Sequence, residues 1–464
     1  MDQQLKNWFT HGKIHQVIWK SSMPMVGAIL ALFAYDLLES SLLALNGEHL
    51  LTALGFTLPI TTALAAIAIG TSIRTNNKVV KFACLHKDKL ANVIATSIII
   101  SVIVIAFLSI IFYLMNDYLL ALLGSQSWSE SITDDIDFAN TQHTYLNARY
   151  LGWVFLTIIW QVNATLRALG NTTLASCLML SWLLVKSMLA IALLTPESLW
   201  HLPGLSGLAL SHVGVDMLFA LISLLLLANK TALELPSFKE LRSAVLSTKH
   251  DGLFIILQQL ITPISIALLT MIAATIDYSY VAAFAFILRI ESLLLLLPMV
   301  LTTSMPCIVG INYWSGHMLR VKEAYFITFF TLVLSQFILA ILLYLNSDLL
   351  SSFICAEGAV AQLITNFLTW VPIGYIGAGC AIVYQSCLNS EGKTLQASFI
   401  GITHKLLLLL PIAYIGASIA SENSFFQAIM LGHLVSGLYV IYLFKKRTAV
   451  ENNKAQGSIV YLAD

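Results

Sequence analysis

Charge is what this sequence has least of. Lys, Arg, Asp and Glu make up 10% of its 464 residues, where water-soluble domains carry about a quarter. A surface that poor in charge is not one built to face water, and no basic face for nucleic acid is in view. Metal chemistry is missing as well. The six cysteines (Cys84, Cys177, Cys307, Cys355, Cys380 and Cys387) stand at no metal-like spacing and read as small apolar filler. No His-Glu-x-x-His, no Gly-x-Ser-x-Gly and no protease-type pair of intramembrane aspartates occurs. The expectation is therefore no enzyme, no metal and no cofactor. A cleavable leader is not evident, because the apolar stretch after Lys6, Lys13 and Lys20 is too long for one.

What fills the chain is apolar: 58% of it is hydrophobic. A membrane-spanning helix needs about 20 mostly apolar residues. Runs of that kind cover 18–45, 51–73, 90–115, 145–168, 173–195, 204–228, 252–275, 280–309, 323–346, 359–388, 395–419 and 424–444. They are continuous, without the period-2 alternation of a barrel strand. The expected fold is all-α and integral to the membrane, with twelve transmembrane helices, numbered here as spans 1 to 12.

Orientation follows from Lys and Arg, which gather on the cytoplasmic side. With the N-terminus inside, twenty of the 24 fall there, three (Lys186, Arg289, Lys405) fall inside spans, and Arg149 alone falls outside. A missed span would scramble this alternation. The outer loop between spans 3 and 4 is acidic instead, with Glu130, Asp134, Asp135 and Asp137. A monomer with both termini cytoplasmic is expected.

The two halves of the chain repeat. Leu166-Arg-Ala-Leu-Gly-Asn-Thr-Thr-Leu-Ala-Ser176 is similar to Leu388-Asn-Ser-Glu-Gly-Lys-Thr-Leu-Gln-Ala-Ser398, 222 residues on. Each lies in a cytoplasmic turn, and the shift is six spans. An even shift keeps orientation, so the halves are parallel repeats. The expected organisation is an N-lobe over 1–229, a cytoplasmic linker over 230–250, a C-lobe over 251–445 and a tail over 446–464. Two pseudo-symmetric six-helix bundles suggest a transporter with a central cavity.

An ionisable group within a span is costly unless paired or hydrated, so each is a candidate for function. In the first half these are Asp36, Glu39, Lys186, His212 and Asp216; in the second, Arg289, Glu291, His404, Lys405 and His433. At about 1.5 Å per residue, Asp36 and Lys186 each lie about 15 Å below the outer ends of spans 1 and 5. His212 lies at similar depth, and Asp216, four residues on, shares its face. Asp36, Lys186, His212 and Asp216 are thus the candidate proton-coupling residues, with an Asp36–Lys186 contact expected. Pro24 is a candidate bend. Glu39, Asn163 and Arg289 join it as candidate cavity or hinge positions.

Several motifs resemble those of multidrug and toxic compound extrusion (MATE) transporters. The turn beginning at Leu166 is similar to their Leu-Arg-Gly-x-Gly-Asp-Thr. Gly204-Leu-Ser-Gly-Leu-Ala resembles their start of helix 6. Val281-Ala-Ala-Phe and Leu288-Arg-Ile-Glu-Ser292 resemble their helix 8, and Pro24 followed by Asp36 their helix 1. The resemblance implies export of amphipathic, often cationic drugs by antiport through two six-helix lobes of a bacterial inner membrane. The match is nearest the DinF-like branch, in which the N-lobe couples. The chain departs from the pattern on span 5. Lys186 stands where the family has an asparagine, and Ala190 where it has a second aspartate. Carboxylates are also absent from 252–275 and 359–388, where another branch carries its cation site. Protons are therefore expected rather than sodium, with protonation of Asp36 driving release. The alternatives are a sodium-coupled drug antiporter and a lipid-linked oligosaccharide flippase.

Overall fold

The structure, a computed structural model, describes residues 3–46, 48–122, 136–195, 202, 204–230, 236–246, 249–354, 359–419 and 423–460. Every regular element among the described residues is a helix. In lipid a backbone must bond to itself, and a helix does so within one segment. After a short helix, Gln3–His11, the expected spans follow in order. They are Ile14–Asn46, Glu48–Leu85, Leu90–Leu114, Ile136–Ala168, Thr172–Leu194 and Gly204–Lys230, then Lys249–Ala274, a broken span 8, Met318–Leu345, Ala359–Ser390, Thr394–Ser418 and Ser424–Val460.

Eleven helices among the described residues are long and apolar enough to cross a membrane. Span 4, Ile136–Ala168, is 33 residues long but too polar to be among them. Its polar side chains turn inward and bond to neighbouring spans, as such groups do in membrane bundles. Gln142 donates to the Ala53 carbonyl at 3.2 Å, and Gln161 to Thr71 Oγ1 at 2.9 Å. Asn76 of span 2 donates to the Ala164 carbonyl at 3.1 Å.

Span 8 departs from the single helix expected over 280–309. It breaks at Leu295 into Tyr278–Leu294 and Leu296–Trp314. Pro298 explains the break: it has no N–H for the carbonyl of Leu294, four residues back. Gln336 of span 9 takes over, donating to that carbonyl at 3.2 Å. Span 11 adapts to Pro411 differently, by a π-helical stretch over Thr403–Leu409 just before it.

The repeated turns are equivalent in their hydrogen bonds. Asn171 N–H donates to Leu166 C=O at 2.9 Å, and Lys393 N–H to Leu388 C=O at 2.9 Å. Gly170 and Gly392 occupy the same place, with φ of 84° and 80°. This left-handed helix ending favours glycine. The 222-residue similarity is thus a shared local structure.

The chain divides into two compact units. One comprises Met1–Leu5 with Lys20–Leu260, the other Lys6–Trp19 with Ile261–Asp464. The division falls inside span 7, beyond the 230–250 segment where the sequence places a linker. That segment holds a short helix, Phe238–Leu246. Ser237 N–H donates to Glu240 Oε2 at 2.7 Å, and Glu240 N–H to Ser237 Oγ at 3.4 Å. This reciprocal box starts the helix, and it holds the Glu240 carboxyl below its ordinary range.

Candidate functional site

The charged groups of the first unit meet inside its bundle, and Asp216 is the hub. Span 6 presents it fully buried, at 0% exposure. Trp182 Nε1, from span 5, donates to Asp216 Oδ1 at 2.8 Å. Lys186, one turn further along span 5, brings Nζ to 3.5 Å of the same oxygen. Arg149, from span 4, brings NH1 to 3.9 Å of Oδ2. A buried carboxylate facing two cations and an indole N–H is compensated from three sides. The ammonium also lies over the rings of Trp182 and Tyr35, at 4.7 and 5.3 Å, and the guanidinium over Trp153 at 5.2 Å. Such faces attract cations.

His212, one turn before Asp216 on the same face, points to span 1. Its Nε2 lies 3.3 Å from Glu39 Oε2. The rings of Tyr35 and Tyr145 stand edge-on to it, at 6.0 and 6.4 Å. Asp36 is one turn before Glu39 on span 1, and it is exposed where Glu39 is half-buried. A carboxylate at this depth does not face acyl chains, so its open side is a watered one.

The structure thus brings Lys186, His212 and Asp216 together, and adds Glu39. Lys186 forms an ion pair with Asp216, because the facing sides of spans 5 and 6 meet, and it also interacts electrostatically with Asp36, as expected. Glu39, which the sequence leaves near the outer surface, is drawn inward to His212. Arg149 is the residue the sequence reading missed. It is buried at 7% exposure, where charge counting placed it outside. Its signal was that anomaly: one arginine alone on an acidic side.

The other candidates lie apart from this cluster. The Asn163 amide donates to the Ala175 carbonyl at 2.8 Å and ties span 4 to span 5. Pro24 sits inside an unbroken helix, Ile14–Asn46, and its carbonyl accepts from Ser176 Oγ of span 5. The side chains of Arg289 and of Asp137, at the start of span 4, and the acidic residues Glu130, Asp134 and Asp135 lie outside the described residues. No group of three or more His, Cys, Asp or Glu that could hold a metal occurs among the described residues.

A bundle of apolar helices with a charge cluster sealed inside it is an architecture that membrane transporters use. The comparisons bear on this. A MatE family model matches residues 255–415. A mutant of the Vibrio cholerae MATE transporter VcmN has the same fold, with a TM-score of 0.86 at 21% identity over 97% of this chain and 99% of its own. A MOP superfamily transporter from Pyrococcus furiosus aligns with a TM-score of 0.83 at 16% identity, over 97% and 98% of the two chains. A protein of Shewanella oneidensis described as an FAD transporter is 24% identical over 93% of this chain and 95% of its own. Residues 255–415 thus match the MatE family, and nearly the whole chain shares the fold of MATE transporters.

Proposed function

We propose that this transporter exports amphipathic organic compounds, cationic drugs among them, in exchange for protons, and that the cluster in the first unit is the coupling element. The observation that carries the reading is the composition of that cluster. Lys186 and Arg149 both lie within 4 Å of Asp216, in the bundle that carries Asp36 and Glu39. Two fixed cations repel a third by several kcal/mol at about 4 Å, so a sodium ion is disfavoured there. A proton is not, because it neutralises a carboxylate instead of adding a separate charge.

Asp36 is the acceptor in this reading, because it is exposed while Asp216 is sealed. Glu39 and His212 carry the change of charge inward. Protons arriving from outside at Asp36 favour release on that side. The charge bias supports cytoplasmic termini, and the likeness to bacterial transporters supports a bacterial inner membrane.

Drug-driven proton movement in vesicles tests this, comparing wild type with Asp36→Asn, each with and without sodium. The expected outcome is sodium-independent proton movement that Asp36→Asn abolishes. Coupling that survives the substitution removes Asp36 from the mechanism, and strict sodium dependence removes the proton.

A second reading concerns the cargo. The Shewanella oneidensis relative is described as an FAD transporter, and FAD is an aromatic anion. Counterflow of FAD against ethidium in the same vesicles separates an anionic cargo from a cationic one.

A further inference from the structure

The second unit holds a polar site that the coupling scheme leaves unused. Five spans build it. Lys405 of span 11 donates from Nζ to Thr262 Oγ1 of span 7 at 2.6 Å. Tyr375 of span 10 interacts with Glu291 of span 8. His404, next to Lys405, brings Nε2 to 3.0 Å of His433 Nδ1 on span 12. The His433 ring in turn lies 5.6 Å from that of Tyr375. Glu291 and Lys405 interact electrostatically, and the Thr262 hydroxyl anchors the ammonium.

Three features mark this as a place for a ligand. Tyr375, His404 and His433 are buried, whereas Lys405, Thr262 and Glu291 are half-exposed. Charges at this depth do not face acyl chains, so the open side is watered. Lys405 sits on the π-helical stretch Thr403–Leu409, a distortion that recurs at functional sites because it re-aims side chains. The ammonium has three protons, and the hydrogen bond to Thr262 uses one.

Depth selects the kind of ligand. Lys405 is eleven residues from Thr394 and thirteen from Ser418, about 17 and 20 Å along the helix. That is mid-membrane, out of reach of a lipid headgroup in its leaflet. We propose that Lys405 and Thr262 receive the anionic group, carboxylate or phosphate, of an organic compound that the protein carries. Glu291 is the resident negative charge beside that group and weakens its binding.

This deepens the transport reading by naming one class of cargo, but its test needs no gradient. Equilibrium binding to the purified full-length protein is measured for riboflavin and for flavin mononucleotide, which share a ring system and differ by a phosphate. Inorganic phosphate serves as a competitor. Wild type is expected to bind the mononucleotide about tenfold more tightly than riboflavin, the scale of one charge-assisted hydrogen bond. Lys405→Met and Lys405→Gln should erase that preference, Lys405→Arg should keep it, and Glu291→Gln should increase it. Riboflavin binding should be equal in all five proteins, which shows that the variants are folded. Equal or undetectable binding of the two flavins by wild type overturns the proposal, as does a preference that survives both Lys405→Met and Lys405→Gln. Full displacement of the mononucleotide by millimolar phosphate overturns it too, because the site would then take a free ion. Loss of proton coupling in vesicles would sink the transport scheme and leave this binding result standing.

Discussion

Asp216 shows how much one residue can hold in a membrane interior. It is fully buried, and Trp182, Lys186 and Arg149 all converge on it. Removing one partner of a buried pair leaves a bare charge and costs about 3–5 kcal/mol. Asp216→Ala strands two cations at once and should lower thermal stability in detergent by at least that scale. Asp216→Ala combined with Lys186→Met should recover part of the loss, because one stranded cation is then gone. Additive losses in this cycle would show that the two groups do not act as a pair. The cluster's members were legible in the sequence because ionisable residues within apolar runs stand out. Their pairing was not. Asp36, His212 and Asp216 lie at comparable depths, so several pairings with Lys186 satisfy depth alone. Which carboxylate faces the lysine depends on helix rotation, which a sequence of mixed apolar residues does not fix. Arg149 was misplaced because span 4 is polar enough to obscure its own outer boundary.

At the scale of the element, glycines decide how closely two spans approach. Gly377 of span 10 lies against the backbone of span 12. A Cβ added there would collide with the His433 carbonyl oxygen, and Gly437 of span 12 faces Gly377 in return. Close approach through small residues is the usual means of helix association in lipid. Gly377→Ala should therefore force spans 10 and 12 apart, at a cost of about 1–3 kcal/mol, and displace the His404–His433 pair. Gly214 on span 6 has nothing within 4 Å of an added Cβ. Gly214→Ala should stabilise by about 0.5–1 kcal/mol through helix propensity alone. Thermal unfolding of the two variants checks both signs, and a neutral Gly377→Ala would contradict the packing. The helices themselves were readable, since twelve apolar runs became twelve spans. Their irregularities were not. Pro298 and Pro411 both remove a backbone donor, yet span 8 breaks with help from Gln336 while span 11 widens into a π-helix. The choice depends on whether a neighbouring side chain can reach the freed carbonyl.

For the molecule as a whole, the notable fact is that the chain visits the second unit, over Lys6–Trp19, before it builds the bulk of the first. Residues Lys6–Trp19 belong to the unit formed by Ile261–Asp464, and the chain returns to the other unit, which also holds Met1–Leu5, from Lys20. A nine-residue helix such as Gln3–His11 is marginal in isolation, so its order comes from docking. Phe9 is fully buried, at 0% exposure. Arg320 donates to the carbonyls of Phe9 and Gly12 at 3.3 and 2.6 Å, and Asn312 donates to that of Phe9 at 3.2 Å. These contacts satisfy the carbonyls left open at the helix end and set a guanidinium charge against its negative pole. The sequence showed only a basic N-terminus, because the acceptors are backbone atoms and carry no residue signature. Arg320→Gln should therefore release the N-terminal helix without disturbing the spans. In hydrogen–deuterium exchange, the amides of Gln3–His11 should exchange about tenfold faster, the scale of a hydrogen bond to a charged group, while those of span 10 stay unchanged. Phe9→Ala should do the same by a different route, through lost burial. Unchanged exchange in both variants would mean that the segment is ordered by something other than this dock. Equal acceleration across the second unit would mean that Arg320 holds the whole unit together rather than its N-terminal helix.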